Sequence, residues 1–159
     1  MKKILLLMIS VTSLIVTEST SQEWEETAAA PEGGGITDLL IRESNGHLFA
    51  VTGSYNWPNG EDGGIRRSTD EGDSWTNLID AYTARTIIEG PDGELLASIW
   101  EYPDDEGLYR STDNGDTWDL LVDVPGGNNI FSIAIAPGDP NIIYAGTRTG
   151  VYRSLDNGN

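Results

Sequence analysis

A stretch of eight residues recurs in this chain at a fixed interval of 43 residues. The first copy is Ser68-Thr69-Asp70-Glu71-Gly72-Asp73-Ser74-Trp75, the second runs from Ser111 to Trp118, and a third occupies 154–159. Serine, aspartate and glycine hold the same places in all three copies. A repeat of this length predicts a stacked or circular architecture built from one recurring module. Because the third copy stops before its tryptophan, we expect the N-terminal part of a longer protein.

The module itself is predicted to consist of four short strands. An apolar segment begins 12 residues after each of three tryptophans, Trp24, Trp75 and Trp118. We take each of these segments as the first strand of a unit. The later strands of the units are predicted at 47–52, 64–68 and 75–79, at 94–99, 107–111 and 118–122, and at 142–147 and 150–154. These segments are bounded by Gly, Asn, Asp and Pro, and no helical period follows residue 21. The sequence therefore predicts an all-β, incomplete β-propeller of four-stranded antiparallel blades.

The repeated octapeptide, Ser-x-Asp-x-Gly-x-Ser/Thr-Trp, resembles the Asp-box or BNR repeat. That repeat occurs in sialidases, other glycoside hydrolases, sortilin-type receptor domains and Ycf48-like photosystem assembly factors. The resemblance covers most of residues 24–159 and implies a folding role for the box, away from any catalytic centre. We assign structural roles, and no catalytic ones, to Ser68, Asp70, Gly72, Trp75, Ser111, Asp113, Gly115, Trp118, Ser154, Asp156 and Gly158.

The N-terminal segment has the order of a secretory signal peptide. A basic start, Met1-Lys2-Lys3, precedes an apolar run from Ile4 to Val16, and a small polar stretch follows. The run is shorter than the ~20 residues of a membrane span. We therefore expect a signal helix over 1–21, no stable membrane span after its cleavage, and a secreted, periplasmic or cell-surface protein. The remaining divisions are a strand remnant and Gly-rich lead at 22–35, blades at 36–79 and 80–122, and a truncated third blade at 123–159.

The charge balance limits the partners of the chain. Its formal net charge is −17, which repels nucleic acid and anionic surfaces, so we expect no nucleic-acid partner. There is no cysteine, and His47 is the single histidine, expected to be exposed beside a turn. We therefore expect no thiolate or paired-histidine metal site and no cofactor. The acidity is interpreted as a solvated surface, and divalent cation binding at clusters such as Asp104-Asp105-Glu106 is the alternative.

Catalytic signatures are weak. The Arg-Ile-Pro signature of sialidases is absent. Three arginines occupy equivalent places in the repeat and are expected on strand surfaces: Arg67, Arg110 and Arg153. Three others are not equivalent and could face a central channel: Arg42, Arg85 and Arg148. Asp38 and Glu89 would be the first candidates for hydrolysis, although we expect them to be solvated channel carboxylates. Gly33-Gly34-Gly35-Ile36 is similar to the Gly-rich start of xyloglucan-degrading propellers.

Two loops carry aromatic residues next to proline on adjacent units. Tyr55 and Trp57 lie in the first, and Trp100 and Tyr102 in the second. Exposed tryptophan and tyrosine suit sugar stacking or a protein hot spot, whereas packing over the sheet edge is the alternative interpretation.

The function predicted from these features is that of a non-catalytic glycan- or protein-binding scaffold. The alternative is the N-terminal part of a sialidase-like or other glycoside hydrolase whose catalytic residues lie mainly beyond residue 159. We expect the C-terminal blades of the same protein as a further partner. Without them, two sheet faces stay open and the chain should be prone to association.

Overall fold

The structure is a computed structural model that describes residue 27 and residues 35–53, 63–101, 105–122, 124 and 130–158. The predicted signal helix, Trp24 and the loop residues Tyr55, Trp57 and Tyr102 lie outside the described residues. Every regular element within them is a β-strand, which confirms the all-β prediction for this part of the chain. None of the described residues forms a helix with the length and apolar character needed to traverse a bilayer.

The strands lie where the repeat predicts them. In chain order they are β1 (Gly35–Ile41), β2 (Leu48–Gly53), β3 (Gly63–Ser68), β4 (Thr76–Ala81), β5 (Thr83–Glu89), β6 (Leu95–Glu101), β7 (Asp105–Ser111), β8 (Asp119–Val122), β9 (Ile130–Ala136), β10 (Asp139–Thr147) and β11 (Val151–Ser154). We call β1–β4 unit 1, β5–β8 unit 2 and β9–β11 unit 3. Within each unit, consecutive strands pair antiparallel as a meander.

The units are separate meanders that touch at few backbone positions. Units 1 and 2 join into one eight-stranded sheet through a single pairing between Gly53 and Thr83. Unit 3 is a sheet of its own. Contact between units is therefore made mainly by side chains, as it is between stacked blades.

Two apolar cores lie between the units, because successive residues of a strand point to opposite faces. Leu95 and Leu96 on β6 are both fully buried, yet they belong to different cores. The first core joins units 1 and 2 and includes Phe49, Val51, Ile65, Ala84, Ile87 and Leu95. The second joins units 2 and 3 and includes Leu96, Leu108, Ile130, Ile133 and Ile143. Unit 2 is thus covered on both faces, whereas units 1 and 3 each have one covered face among the described residues.

One backbone irregularity recurs in the first strand of every unit. The register of β1 skips Thr37, that of β5 skips Arg85, and that of β9 skips Phe131. These skips are β-bulges, which bend a strand and redirect the side chain of the extra residue. The three residues therefore share one structural position, near the end of the sheets where β2 leads to β3 and β4 leads to β5.

A leucine of each fourth strand packs on a glycine of the next unit. A Cβ atom built on Gly115 would lie 2.7 Å from Cδ1 of Leu78, a contact that only glycine permits without displacement. Gly115 also has a positive φ of 90°. The same contact recurs as Thr27 on Gly72 and Leu121 on Gly158, at 2.9 and 3.0 Å. Each packing residue follows a repeat tryptophan by three positions, so the period of the sequence encodes the contact.

Substitution of Gly115 by alanine separates backbone strain from steric contact. Gly46 has a positive φ of 73° but open space around its Cβ position, and Gly138 has neither constraint. We expect Gly115→Ala to lower the free energy of unfolding by about 3 kcal/mol, and Gly46→Ala by about 1 kcal/mol. Gly138→Ala should have almost no effect. Urea unfolding of the three variants measures the order, and equal losses in Gly115→Ala and Gly46→Ala would show that Leu78 yields without cost.

Candidate functional site

The serine of the repeated box is the centre of its hydrogen-bond network. In the second box, Ser111 Oγ accepts the backbone N–H of Gly115 at 2.8 Å and of Asp113 at 3.4 Å. The same hydroxyl donates to Asp113 Oδ1 at 2.8 Å. The carboxylate of Asp113 accepts the backbone N–H of Thr117 at 2.8 Å and its hydroxyl at 2.6 Å. The first box has the same bonds, made by Ser68, Asp70, Gly72 and Ser74. The third box has the bonds of the serine hydroxyl, made by Ser154, Asp156 and Gly158.

This network holds an unfavourable backbone turn. Glu71, Asn114 and Asn157, which precede the box glycines, have φ values of 61°, 65° and 59°. Two successive residues in each box are therefore left-handed, a conformation that a side chain normally disfavours. Trp118 adds a bond from its indole N–H to the carbonyl of Gly115 at 2.9 Å. Trp75 differs, because its indole nitrogen is buried without a hydrogen-bond partner in the described structure.

The box carboxylates are poor candidates for acid catalysis. Hydrogen bonds from the side chain and backbone of Thr117, and then from Ser111, lower the pKa of Asp113 from 3.8 to about 2. Bonds from the side chain of Ser74, then from Ser68 and the backbone of Ser74, lower the pKa of Asp70 as well. Both carboxylates are therefore ionised at neutral pH and hold no proton to donate.

The lowered pKa of Asp113 predicts how stability depends on pH. Its pKa in the folded state is below the ordinary value, so its contribution is complete above pH 3.8 and is lost as the pH falls toward about 2. Asp113→Asn should lower stability at neutral pH and remove part of the acid-induced loss. Asp119→Asn, at an exposed position on β8, is the matched control and should keep the wild-type profile. Thermal unfolding across this pH range provides the measurement; superimposable curves for all three proteins would contradict the prediction.

In the first two boxes, the arginine before the serine reaches the box of the next unit. Arg67 Nη1 donates to the carbonyl of Asn114 at 2.7 Å and to Asp116 Oδ1 at 2.8 Å. Arg110 Nη2 donates to the carbonyl of Asn157 and to its Oδ1, the latter at 2.8 Å. We call this contact the arginine link. The expectation that both arginines lie on a strand surface is therefore wrong, since each is partly buried between two units.

Arg42 is also a contact between units, and its side chain is buried. It is 7% exposed and donates to Glu89 Oε1 at 2.7 and 2.9 Å. Further bonds go to the carbonyl of Gly93 at 2.6 Å and to Asn114 Oδ1 at 2.7 Å. The side chain of His47 is half-buried rather than exposed, because its Nδ1 accepts the amide of Asn114 at 3.0 Å.

The two carboxylates singled out for hydrolysis have structural contacts. Glu89 is ion-paired with Arg42, as described above. Asp38 Oδ2 accepts the backbone N–H of Ile87 at 3.0 Å, and its Oδ1 accepts that of Leu39 at 2.9 Å. Neither is the freely solvated carboxylate that the sequence suggested. Both join β1 or its turn to β5 of the next unit.

Two pairs of side chains that contain aromatic rings lie at the loop end of units 2 and 3. The rings of Tyr82 and Trp100 meet edge to face, with centroids 4.6 Å apart at 68°. The guanidinium carbon of Arg85 lies 4.9 Å from the centroid of the Phe131 ring. Phe131 remains 50% exposed. We refer to these two pairs, Tyr82 with Trp100 and Arg85 with Phe131, together as the aromatic–arginine cluster.

Sequence reasoning found this cluster only in part. It selected Trp100, and it named Arg85 only as one arginine that could face a channel. Tyr82 and Phe131 were missed. The sequence contains no common signal for these positions, because the bulge that Phe131 shares with Arg85 and Thr37 is defined by the strand registers. The Thr37 hydroxyl donates to the carbonyl of Ala84 at 2.9 Å, so the bulge residues of units 1 and 2 each contact the first strand of the following unit.

The cluster offers surfaces for stacking rather than for metal chemistry. Phenyl and indole rings accept the apolar face of a planar or cyclic ligand, and arginine supplies fixed donors beside them. Among the described residues, no three acidic or histidine side chains come together in a way that could hold a metal ion.

Comparisons with known proteins identify the fold. No family model and no curated protein matches the chain. A GH74 enzyme of Niastella koreensis matches with a TM-score of 0.58 and 24% identity, over 78% of this chain and 22% of that one. Ycf48 from Cyanidioschyzon merolae matches with a TM-score of 0.56 and 18% identity, over 81% of this chain and 36% of that one. An ancestral GH74 enzyme matches with a TM-score of 0.54 and 21% identity, over 83% of this chain and 18% of that one.

These matches show the fold that the described strands adopt. The neighbours are β-propeller proteins, so the likeness shows the β-propeller fold for the matched part of this chain. At these identities it shows nothing about activity. The chain spans only 22%, 36% and 18% of the three structures that it matches. Its units are therefore described as part of a propeller.

Proposed function

We propose that this chain is an exported Asp-box propeller module that binds a carbohydrate through the aromatic–arginine cluster and does not itself catalyse a reaction. The single observation that carries the proposal is the position of the cluster. It lies at the end of the sheets where the first strands begin, next to the connections that contain the predicted aromatic loops.

The chemistry of the cluster suits a sugar. An aromatic face covers the apolar C–H surface of a pyranose, and a neighbouring guanidinium donates to its hydroxyls. Phe131 is half-exposed while Arg85 lies over its ring, so one face of the pair is available to a ligand. Tyr82 and Trp100 form a second aromatic pair, on unit 2.

Binding without catalysis is supported by the state of the carboxylates. Glycoside hydrolysis needs two carboxyl groups that flank the scissile bond, one of which can donate a proton. Asp38 and Glu89 are engaged with backbone or arginine partners, and Asp113 has a lowered pKa. Export is supported by the order of residues 1–21, and the Asp-box assignment by the recurring serine-centred network.

Alanine substitutions in the cluster test carbohydrate binding directly. We expect Trp100→Ala and Phe131→Ala each to weaken the affinity for a polysaccharide that binds the wild-type protein about tenfold, since one aromatic contact contributes about 1–2 kcal/mol. Ile41→Ala is the matched control, because this apolar residue is 65% exposed at the opposite end of β1. Affinity electrophoresis in gels that contain xyloglucan, a linear β-1,4-glucan or mucin provides the measurement. Failure of every gel to retain the wild-type protein would reject carbohydrate as the ligand.

The likeness to GH74 enzymes favours a second candidate, a glycoside hydrolase whose catalytic residues lie mainly beyond residue 159. Under both candidates we expect the present chain to release no reducing ends from xyloglucan. Asp38→Asn and Glu89→Gln serve as paired variants in that assay. Hydrolysis by the wild-type chain that either substitution abolishes would replace the binding proposal with catalysis by the described strands.

A further inference from the structure

A short chain of hydrogen bonds joins units 1 and 2 and ends on the single histidine. Arg42 Nη1 donates to Asn114 Oδ1 at 2.7 Å, and Asn114 Nδ2 lies 3.0 Å from His47 Nδ1. Arg42 and His47 stand at the two ends of the turn between β1 and β2, whereas Asn114 belongs to the second box, between β7 and β8. We call Arg42, Asn114 and His47 the histidine joint. Its amide bridges two side chains of unit 1 from unit 2.

The arginine fixes the direction of both bonds in the histidine joint. A guanidinium has only donors, so the oxygen of Asn114 faces Arg42 and its NH2 group faces His47. Nδ1 of His47 then has to accept, and the proton of the neutral ring lies on Nε2. Turning the amide around would bring its NH2 group against Arg42 Nη1, with two donors facing each other. The joint therefore requires a neutral imidazole at His47.

A protonated His47 would find no new partner in its surroundings. The ion pairs among the described residues are made by arginines, and His47 takes part in none of them. The charged groups at the ends of β1, β3 and β5 and in the first two boxes are already engaged: Arg42 with Glu89, Arg67 with Asp116, Asp70 with Ser74, and Asp113 with Thr117. Glu43, on the same turn, is exposed. An imidazolium at this place therefore loses the bond to Asn114 and gains no ion pair.

We propose that the histidine joint is a pH-sensitive contact, in which uptake of a proton by His47 releases Asn114 and loosens unit 1 from unit 2. Histidine is the side chain that ordinarily changes its charge between about pH 5 and pH 8, and this chain has one histidine and no cysteine. The joint contributes its full stability while the ring is neutral, and the contribution is lost as the pH falls through this range. The property is independent of carbohydrate binding at the aromatic–arginine cluster.

The effect reaches beyond one bond, because Asn114 is also the acceptor of the arginine link. Its carbonyl accepts Arg67 at 2.7 Å, and its φ is 65°. Loss of the side-chain bonds leaves this left-handed residue with fewer contacts to hold it in place. The equivalent residue of the third box, Asn157, is bonded by Arg110 through both its carbonyl and its Oδ1, and the chain has no second histidine to contact it. The pH response is therefore specific to the interface between units 1 and 2.

Thermal unfolding of the full chain between about pH 8 and pH 5 tests the proposal. We expect the Tm of the wild-type protein to fall by about 4 °C over this range. His47→Gln keeps an acceptor but takes up no proton, so its Tm should stay nearly constant. Asn114→Gly keeps the left-handed backbone and removes the amide, and it should be equally insensitive. Asn157→Gly is the matched control, because the same change in the third box should lower the Tm at every pH and preserve the wild-type difference.

NMR of the ring nitrogens supplies a second measurement, on the folded wild-type protein. A neutral ring with its proton on Nε2, and side-chain amide signals of Asn114 that move as His47 takes up a proton, would support the joint. A neutral ring with its proton on Nδ1 would show that Asn114 is not its donor and would overturn the proposal. An equal fall in Tm for the wild-type protein and His47→Gln would overturn it as well, because the acid sensitivity would then come from other groups.

Discussion

The hydroxyl of the box serine is the interaction on which the architecture depends. One oxygen accepts two backbone N–H groups and donates to the aspartate, which in turn fixes the far side of the turn. This arrangement stabilises two successive left-handed residues. It also leaves the glycine open to the leucine of the preceding unit and turns the carbonyl of Asn114 toward Arg67. The same few atoms therefore close a hairpin and form the joint between two units.

Two kinds of contact join the units: apolar side chains that bury surface, and polar bonds that fix the position of one unit relative to the next. The apolar cores supply most of the free energy, since hydrophobic burial scales with area and has little directional preference. A flat sheet face could slide, however, and the arginine link allows one position, because its acceptors lie at a single turn. Stability in such a stack is approximately a sum over units and nearest-neighbour interfaces. Among the described residues, units 1 and 3 each have one such interface and unit 2 has two, so the outer faces of units 1 and 3 are exposed.

Local features were predictable from the sequence, whereas the polar contacts across units were not. The strands and the box glycines follow from a 43-residue period and from turn chemistry, both of which are readable in short windows. Arg67 has no comparable signal, because its partner is a backbone carbonyl 47 residues away. Asp38 and Glu89 looked solvated for the same reason. Their partners, Ile87 and Arg42, lie 47 to 49 residues away in the chain.

The bulges explain why an invariable scaffold can present a variable surface. The box positions need particular residues in every unit, since the turn cannot form without the serine oxygen and the glycine. The bulge needs only an extra residue, and the chain places threonine, arginine and phenylalanine there in turn. Side chains at these positions face the loop end of the sheets without affecting the box at the other end. The bulge residue can therefore differ from unit to unit, at Thr37, Arg85 and Phe131, while the serine-centred network of the boxes stays the same.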